Sequence, residues 1–313
     1  MVLSGFELTY PYLIQRHKNL YTLEFSFCGF CSLQFIRMPS RMTIICIPSL
    51  ITTTPSSLII ISPCDPLDKV RELLNELGQV KYICLSNRHH CYWAKKFHSY
   101  YPLSTVLVTP GLQNNEYTNH LINDNKLSDI ANWPYEHLYY RFIPGMPLLD
   151  EVVFYHRQSQ TLIVTDLAFN YYHDNERDNA NKQENNDYVL NKTSLLLKLY
   201  LTLAGGRRRC CLSYPFRLII KNIRQLKFEL DYVIYNWNIK NLIMAHGHPI
   251  MRDNHQAYDA FYNGTYQFVL NLYSSSLPSA SNIKRKTYST KQYLLVILFI
   301  LLFIFVIFYM IYY

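Results

Sequence analysis

The chain has 313 residues, half of them hydrophobic and 17% charged, a composition that supports one large core or two small ones and excludes a disordered chain. Glycine is scarce at 9, and no G-x-G-x-x-G, G-x-x-x-x-G-K-[ST] or G-x-S-x-G string occurs, so the usual phosphate cradles and the serine nucleophile elbow are excluded. The net charge of +8 is not a nucleic-acid signature, because Lys284, Arg285, Lys286 and Lys291 supply half of it in one cluster and the 28 tyrosines are scattered without a basic-aromatic pattern; no nucleic-acid partner is expected.

Residues 1–40 carry aromatic and apolar side chains without a period and read as an N-terminal extension packed against the body of the chain. No basic segment followed by an apolar core opens the chain, so no cleaved secretory signal is expected. A folded domain is expected over 41–272. Its apolar runs are short and β-branched at 42–47, 57–61, 80–85, 105–109, 152–155, 161–165 and 241–245, the pattern of buried strands. Between the second and third lies a helix: Asp65 can cap it, Pro66 suits its first turn, Leu67, Val70, Leu74 and Leu77 form one stripe, and Gly78 can end it.

A polar insertion comes next at 171–192, rich in Asn, Asp and Glu and nearly free of aliphatics. A Leu-rich helix is predicted over 194–204, stopped by Gly205 and Gly206. A longer one starts near Pro215, with Ile219, Ile223, Leu226, Leu230 and Val233 on its core face. Arg217, Lys221, Arg224 and Lys227 fall on another face, which reads as a solvated surface or as a contact for anionic headgroups.

Residues 273–292 read as a basic linker, and 293–313 contain no charged side chain and sixteen Leu, Ile, Val or Phe. At 1.5 Å per residue such a helix spans about 30 Å, so it is expected to be a transmembrane tail anchor in the lipid bilayer. Lys284, Arg285 and Lys286 would meet anionic headgroups, and the positive-inside rule then leaves a cytosol-facing body on the ER or outer mitochondrial membrane. The cysteines of such a body are expected to be free thiols, and the sequons at Asn191 and Asn263 unmodified.

Three segments carry candidate chemistry. Ser86-Asn87-Arg88-His89-His90-Cys91-Tyr92-Trp93 comes after the third predicted strand, Thr161-Leu-Ile-Val-Thr-Asp166 ends a later one, and Met244-Ala-His246-Gly247 ends the last. In this order they resemble the metallo-β-lactamase superfamily. The phrase Glu-Val-Val-Phe-Tyr-His-Arg-Gln-Ser-Gln-Thr-Leu-Ile-Val-Thr-Asp-Leu-Ala-Phe-Asn over 151–170 is similar to one branch of it, domain of unknown function 4336. The resemblance covers roughly 41–250. It implies an α/β fold, the αββα sandwich, to which the apolar run 293–313 adds the expected C-terminal transmembrane helix.

In active members the loop reads His-x-His-x-Asp-His and serves two adjacent metal ions. Laid on 87–92, the motif retains its second His as His89, with Asn87, Cys91 and Tyr92 at the other ligand positions. A later family His is replaced by Met146. The resemblance thus implies a reduced ligand set of His89, Asp166 and His246, with His90, Cys91 or His248 as further donors, enough for one Zn²⁺ with water in the fourth position. The alternative is that these are polar strand-end residues satisfied by hydrogen bonds.

Cys28-Gly-Phe-Cys31 has the spacing of a redox or half-zinc motif but lacks a second pair. Arg207-Arg-Arg-Cys210-Cys211 reads as a turn with two free thiols or as an acylation site. No paired-carboxylate site is identifiable. Two functions stay open: a degenerate, membrane-tethered binding or scaffold module, and a mononuclear metal-dependent hydrolase of a small ester, thioester or phosphoester.

Overall fold

The computed structural model describes residues 9–28, 37–49, 51, 54–110, 112, 133–170, 210–251 and 255–277. Six strands, β1 (Thr9–His17), β2 (Leu20–Cys28), β3 (Arg37–Ile47), β4 (Ser57–Ile61), β5 (Gln79–Leu85) and β6 (Thr105–Val108), form one sheet in chain order. β1 to β4 pair antiparallel, and β4, β5 and β6 run parallel. Residues 9–28 are therefore not an extension ahead of the domain. They are two of its strands, because β2 pairs with β3 along its whole length, from Leu20↔Ile45 to Cys28↔Arg37.

The second sheet holds β7 (Leu138–Ile143), β8 (Glu151–His156), β9 (Thr161–Ile163), β10 (Asn241–Ile243) and β11 (Ile250–Met251), in the order β11-β10-β9-β8-β7. Period-two alternation divides each central strand between two cores. Ile59, Ile61, Tyr82 and Cys84 of the first sheet meet Val152, Phe154, Ile163 and Ile243 of the second in the inter-sheet layer. Leu58, Ile60, Ile83 and Leu85 face outward onto Val70, Leu74 and Phe97, which lie on α1 (Asp68–Leu77) and α2 (Ala94–Tyr100). Val153, Tyr155, Leu162 and Leu242 face the opposite way onto a helical layer. Strands buried on both faces need uninterrupted apolar runs, which is why they were readable in the sequence.

That last layer comprises α3 (Tyr214–Leu218), α4 (Ile223–Asn236), α5 (Gln256–Phe261), a π-helical turn (Tyr262–Tyr266) and α6 (Gln267–Ser276). The single helix expected from Pro215 is two helices. The backbone amides of Lys221 and Asn222 both donate to the Gly145 carbonyl (2.8 and 3.1 Å), and the Asn222 side chain then caps α4 by accepting from the Gln225 amide at 3.1 Å. In α1, Asp65 is not the cap. It pairs instead with Lys96 Nζ at 2.7 Å, and the helix begins after Leu67 without a side-chain cap.

The architecture is an αββα sandwich, without the transmembrane helix expected at its end: among the described residues no helix is long and apolar enough to cross a membrane. The last, α6, has ten residues, about 15 Å and half of a hydrocarbon core. Residues 293–313 lie outside the described residues, as do 278–292, the insertion 171–192, the helix predicted over 194–204, Cys31 and Asn191. Cys46, Cys64, Cys84, Cys91, Cys210 and Cys211 are free thiols. Cys210 and Cys211 are buried, and Cys211 exchanges two backbone hydrogen bonds with Phe169, so the acylation reading gains no support.

Candidate metal centre

Three loops leave the ends of β5, β9 and β10 at one edge of the sandwich. Parallel strands bring these ends together, β4 with β5 in the first sheet and β9 with β10 in the second. Among the described residues, His90, Asp166 and His246 form the one group of three side chains whose ligand atoms all lie within 4.8 Å of one another. His90 Nε2 and His246 Nε2 are 3.2 Å apart. Each also lies 3.5 Å from an Asp166 oxygen, His90 from Oδ2 and His246 from Oδ1. Two nitrogens bound about 2.0–2.1 Å from a tetrahedral ion stand roughly 3.3 Å apart, so the imidazole pair already has the spacing that one shared ion requires. Without an ion, one of the two rings must present a hydrogen to the other's lone pair.

Asp166 is 3% exposed and His246 5%, so the carboxylate is desolvated. Burial alone would raise its pKa, but the neighbouring His90 and His246 outweigh burial and hold it well below the usual carboxylate range. Its second oxygen accepts a 2.7 Å hydrogen bond from Asn87 Nδ2. Asn87, fully buried, also donates to Glu151 Oε2 at 3.3 Å and accepts the backbone amides of His89 and His90 at 2.9 Å each. These two bonds fold the loop into a turn on the asparagine side chain. That turn sets which histidine faces inward.

The inward residue is His90. His89 is exposed, its ring lies 5.8 Å from that of Phe216, and it stands outside the group of three, in which His90 takes the place expected for it. Cys91 points away: its thiol packs in the outer core of the first sheet, donates to the Arg88 carbonyl at 3.1 Å, and is pushed up to about 11 by burial. His248 also lies outside the group of three. Its amide donates to the Asn170 carbonyl at 2.6 Å and its carbonyl accepts from Asn170 Nδ2 at 2.9 Å. Met146 is fully buried in the core behind the second sheet, and Tyr92 stacks edge-on against Trp93 at 5.2 Å.

Glu151 was not singled out in the sequence, and neither was a paired carboxylate. Its side chain is fully buried and accepts the amides of Thr165 (2.7 Å), Asp166 (2.8 Å) and Leu167 (3.1 Å). Burial first, and then the Asp166 charge, push the Glu151 carboxyl well above the usual carboxylate range. It holds the turn that carries Asp166. A lone acidic residue opening the strand Glu-Val-Val-Phe-Tyr-His, buried along its length, is the signal that could have found it, since carboxylates are almost never fully buried without partners.

Gly247 explains the Gly after the strand-end His. Its φ is +93°, and a Cβ there would sit 2.0 Å from the Asn170 carbonyl oxygen, so only glycine lets the loops after β9 and β10 join in a parallel bridge. Phe169 lies flat against the His246 ring at 5.4 Å with 4° between planes, and stacks on Phe216 at 5.8 Å. One wall of the site is thus aromatic.

In fold the chain is similar to metallo-β-lactamases of known structure. DIM-1 is 10% identical over 85% of this chain and 100% of its own, with a TM-score of 0.53. VMB-1 is 11% identical over 84% and 98%, TM-score 0.52. FIM-1 from Pseudomonas aeruginosa, in its mono-zinc form, is 11% identical over 86% and 98%, TM-score 0.50. At such identities the likeness concerns the fold, which is metallo-β-lactamase-like. The family model described as Domain of unknown function (DUF4336) matches residues 25–174, slightly under half of the chain. No curated protein matches in sequence.

Proposed function

We propose that this chain is a member of the DUF4336 branch of the metallo-β-lactamase-like proteins and holds one Zn²⁺ on His90, Asp166 and His246, as a mononuclear hydrolase of a small ester, thioester or phosphoester. The observation that carries the reading is the 3.2 Å approach of two imidazole nitrogens beside a buried carboxylate. The donor set fits Zn²⁺, which takes imidazole and carboxylate ligands and, in catalytic sites, three from the protein. FIM-1, similar in fold, is known in a mono-zinc form.

When bound, the ion would act as a Lewis acid and make hydroxide available near neutral pH. The chain's own residues supply the rest. Asn87 fixes Asp166 through Oδ2, Glu151 fixes the backbone beneath it, and Phe169 sets the plane of the His246 ring. His89 and Phe216 stand beside this wall and would receive the apolar part of a substrate. A second ion has no comparable ligand set among the described residues.

A second reading is a binding or scaffold module in which hydrolysis has lapsed. It is favoured by Asn87 where the family loop carries a His, since its amide already occupies one Asp166 oxygen. Dialysis of the full chain against Zn²⁺, with elemental analysis and then assay on p-nitrophenyl esters, a thioester and a phosphodiester, separates the two. Turnover that needs the ion and disappears in Asp166→Ala supports the hydrolase. One bound ion without turnover above the Asp166→Ala background supports the module, and absence of bound ion contradicts the metal site and with it the hydrolase.

A further inference from the structure

β10 ends at Ile243, yet the chain beyond it stays buried through Ala245 and His246. Buried carbonyls without a strand neighbour need donors, and here the donor comes from the other sheet. Arg41, on β3 and 6% exposed, sends one guanidinium nitrogen to the Met244 carbonyl and the other to the Gly247 carbonyl, the latter at 2.9 Å. The two contacts bracket His246 on both sides. The remaining guanidinium nitrogen, Nε, donates to Glu24 Oε1 at 2.5 Å, from the residue directly across the ladder on β2. Glu24 is held in turn by Arg16 at 3.0 Å and the Thr22 hydroxyl at 2.9 Å.

A buried ion pair is a weak source of stability, because desolvation offsets most of its attraction. What this one provides is geometry. The planar fork of an arginine fixes two acceptors at a set separation, which a lysine cannot do. We infer that Arg41, aimed by Glu24, is a positioning residue that holds His246 at its 3.2 Å approach to His90 from the opposite sheet. The inference goes beyond the metal site proposed above and rests on it for its affinity readout.

The test uses the full chain and four forms: wild type, Arg41→Gln, Arg41→Lys and Arg16→Gln. Arg16 is only part-buried and touches Glu24 but not the His246 loop, and Thr22 and Arg41 still hold Glu24 when it is lost, so its variant removes a charge from the network without loss of the bracket. Zn²⁺ competition against a chromophoric chelator should show affinity weakened about 10–100-fold in Arg41→Gln, by less in Arg41→Lys, and almost unchanged in Arg16→Gln. The Co²⁺ visible spectrum should change only in the Arg41 variants. Amide hydrogen exchange of 245–248 in the metal-free proteins should quicken in Arg41→Gln and not in Arg16→Gln. Affinity and spectrum unaltered in both Arg41 variants would overturn the inference. If wild type takes up no ion, the metal reading falls, and the exchange comparison decides the positioning role alone: equal rates in Arg41→Gln and Arg16→Gln overturn it.

Discussion

Replacing Asn87 by alanine removes four hydrogen bonds from one fully buried side chain: 2.7 Å to Asp166, 3.3 Å to Glu151, and 2.9 Å to each of two backbone amides. The bond to the Asp166 carboxylate is charge-assisted and contributes about 1.5–3 kcal/mol, while an orphaned buried amide costs about 1–3 kcal/mol. The His89 and His90 amides lie nearer the surface, where water recovers part of that loss, and the 3.3 Å bond is weak. The sum for the metal-free protein is therefore about 3–5 kcal/mol, roughly 10 °C in Tm for a domain of this size. Asn87→Asp keeps the acceptor for both amides but sets a third carboxylate against Asp166 and Glu151, so it should be destabilised as well. Urea unfolding at pH 7 measures both. A loss below about 1 kcal/mol in Asn87→Ala would mean that the loop is not organised by this side chain, and the reason given for His90 facing inward would fail.

Two further outcomes are expected. His156 is fully buried with Nδ1 on the Ser159 hydroxyl at 2.7 Å, and burial, with His17 and His137 nearby, lowers its pKa to about 4. The unfolded chain therefore binds a proton between about pH 6.5 and 4 that the folded protein does not, and stability falls with pH across that window, by about 2 kcal/mol from pH 7 to pH 5; the drop should be absent in His156→Gln, and an equal drop in both would refute the assignment. Gly247→Ala forces a left-handed φ on alanine and a Cβ against Asn170. It should cost at least about 1–3 kcal/mol and weaken Zn²⁺ binding at the same time, and wild-type values in both would show that the loop has room to adjust.

The parts of the fold legible in the sequence were those whose physics is local. β4 and β5 are buried on both faces, so their apolar runs stand out, and 57–61 and 80–85 match the strands within one residue. β1 and β2 show no apolar period in the sequence, since Arg16, Thr22 and Glu24 interrupt it. The structure shows why such residues are tolerated there: they meet Arg41 in one buried network. The long helix divides at 219–222 because Gly145, over seventy residues earlier, captures two amides, and no helical period contains that contact. Asp166 and His246 were visible as polar residues closing apolar strands. The choice of His90 over His89 was not, since it depends on one side chain turning a loop, and Glu151 and Arg41 act through contacts between residues far apart in the chain.

What the edge of this sandwich brings together is one compact group of two histidines and an aspartate, and the residues that hold it in place. The arrangement accounts for Asn87, Glu151, Gly247 and Arg41 together, each acting on a loop that carries one of the three. The most direct measurement is a Zn²⁺ competition titration of three proteins, wild type, His90→Ala and His89→Ala, with the bound ion counted per chain. One ion in wild type, a loss of affinity on the order of 100-fold in His90→Ala, and no more than about a threefold change in His89→Ala are expected, since only His90 stands in the group with Asp166 and His246. Two ions per chain, none, or a site that survives His90→Ala and is lost in His89→Ala would contradict the account.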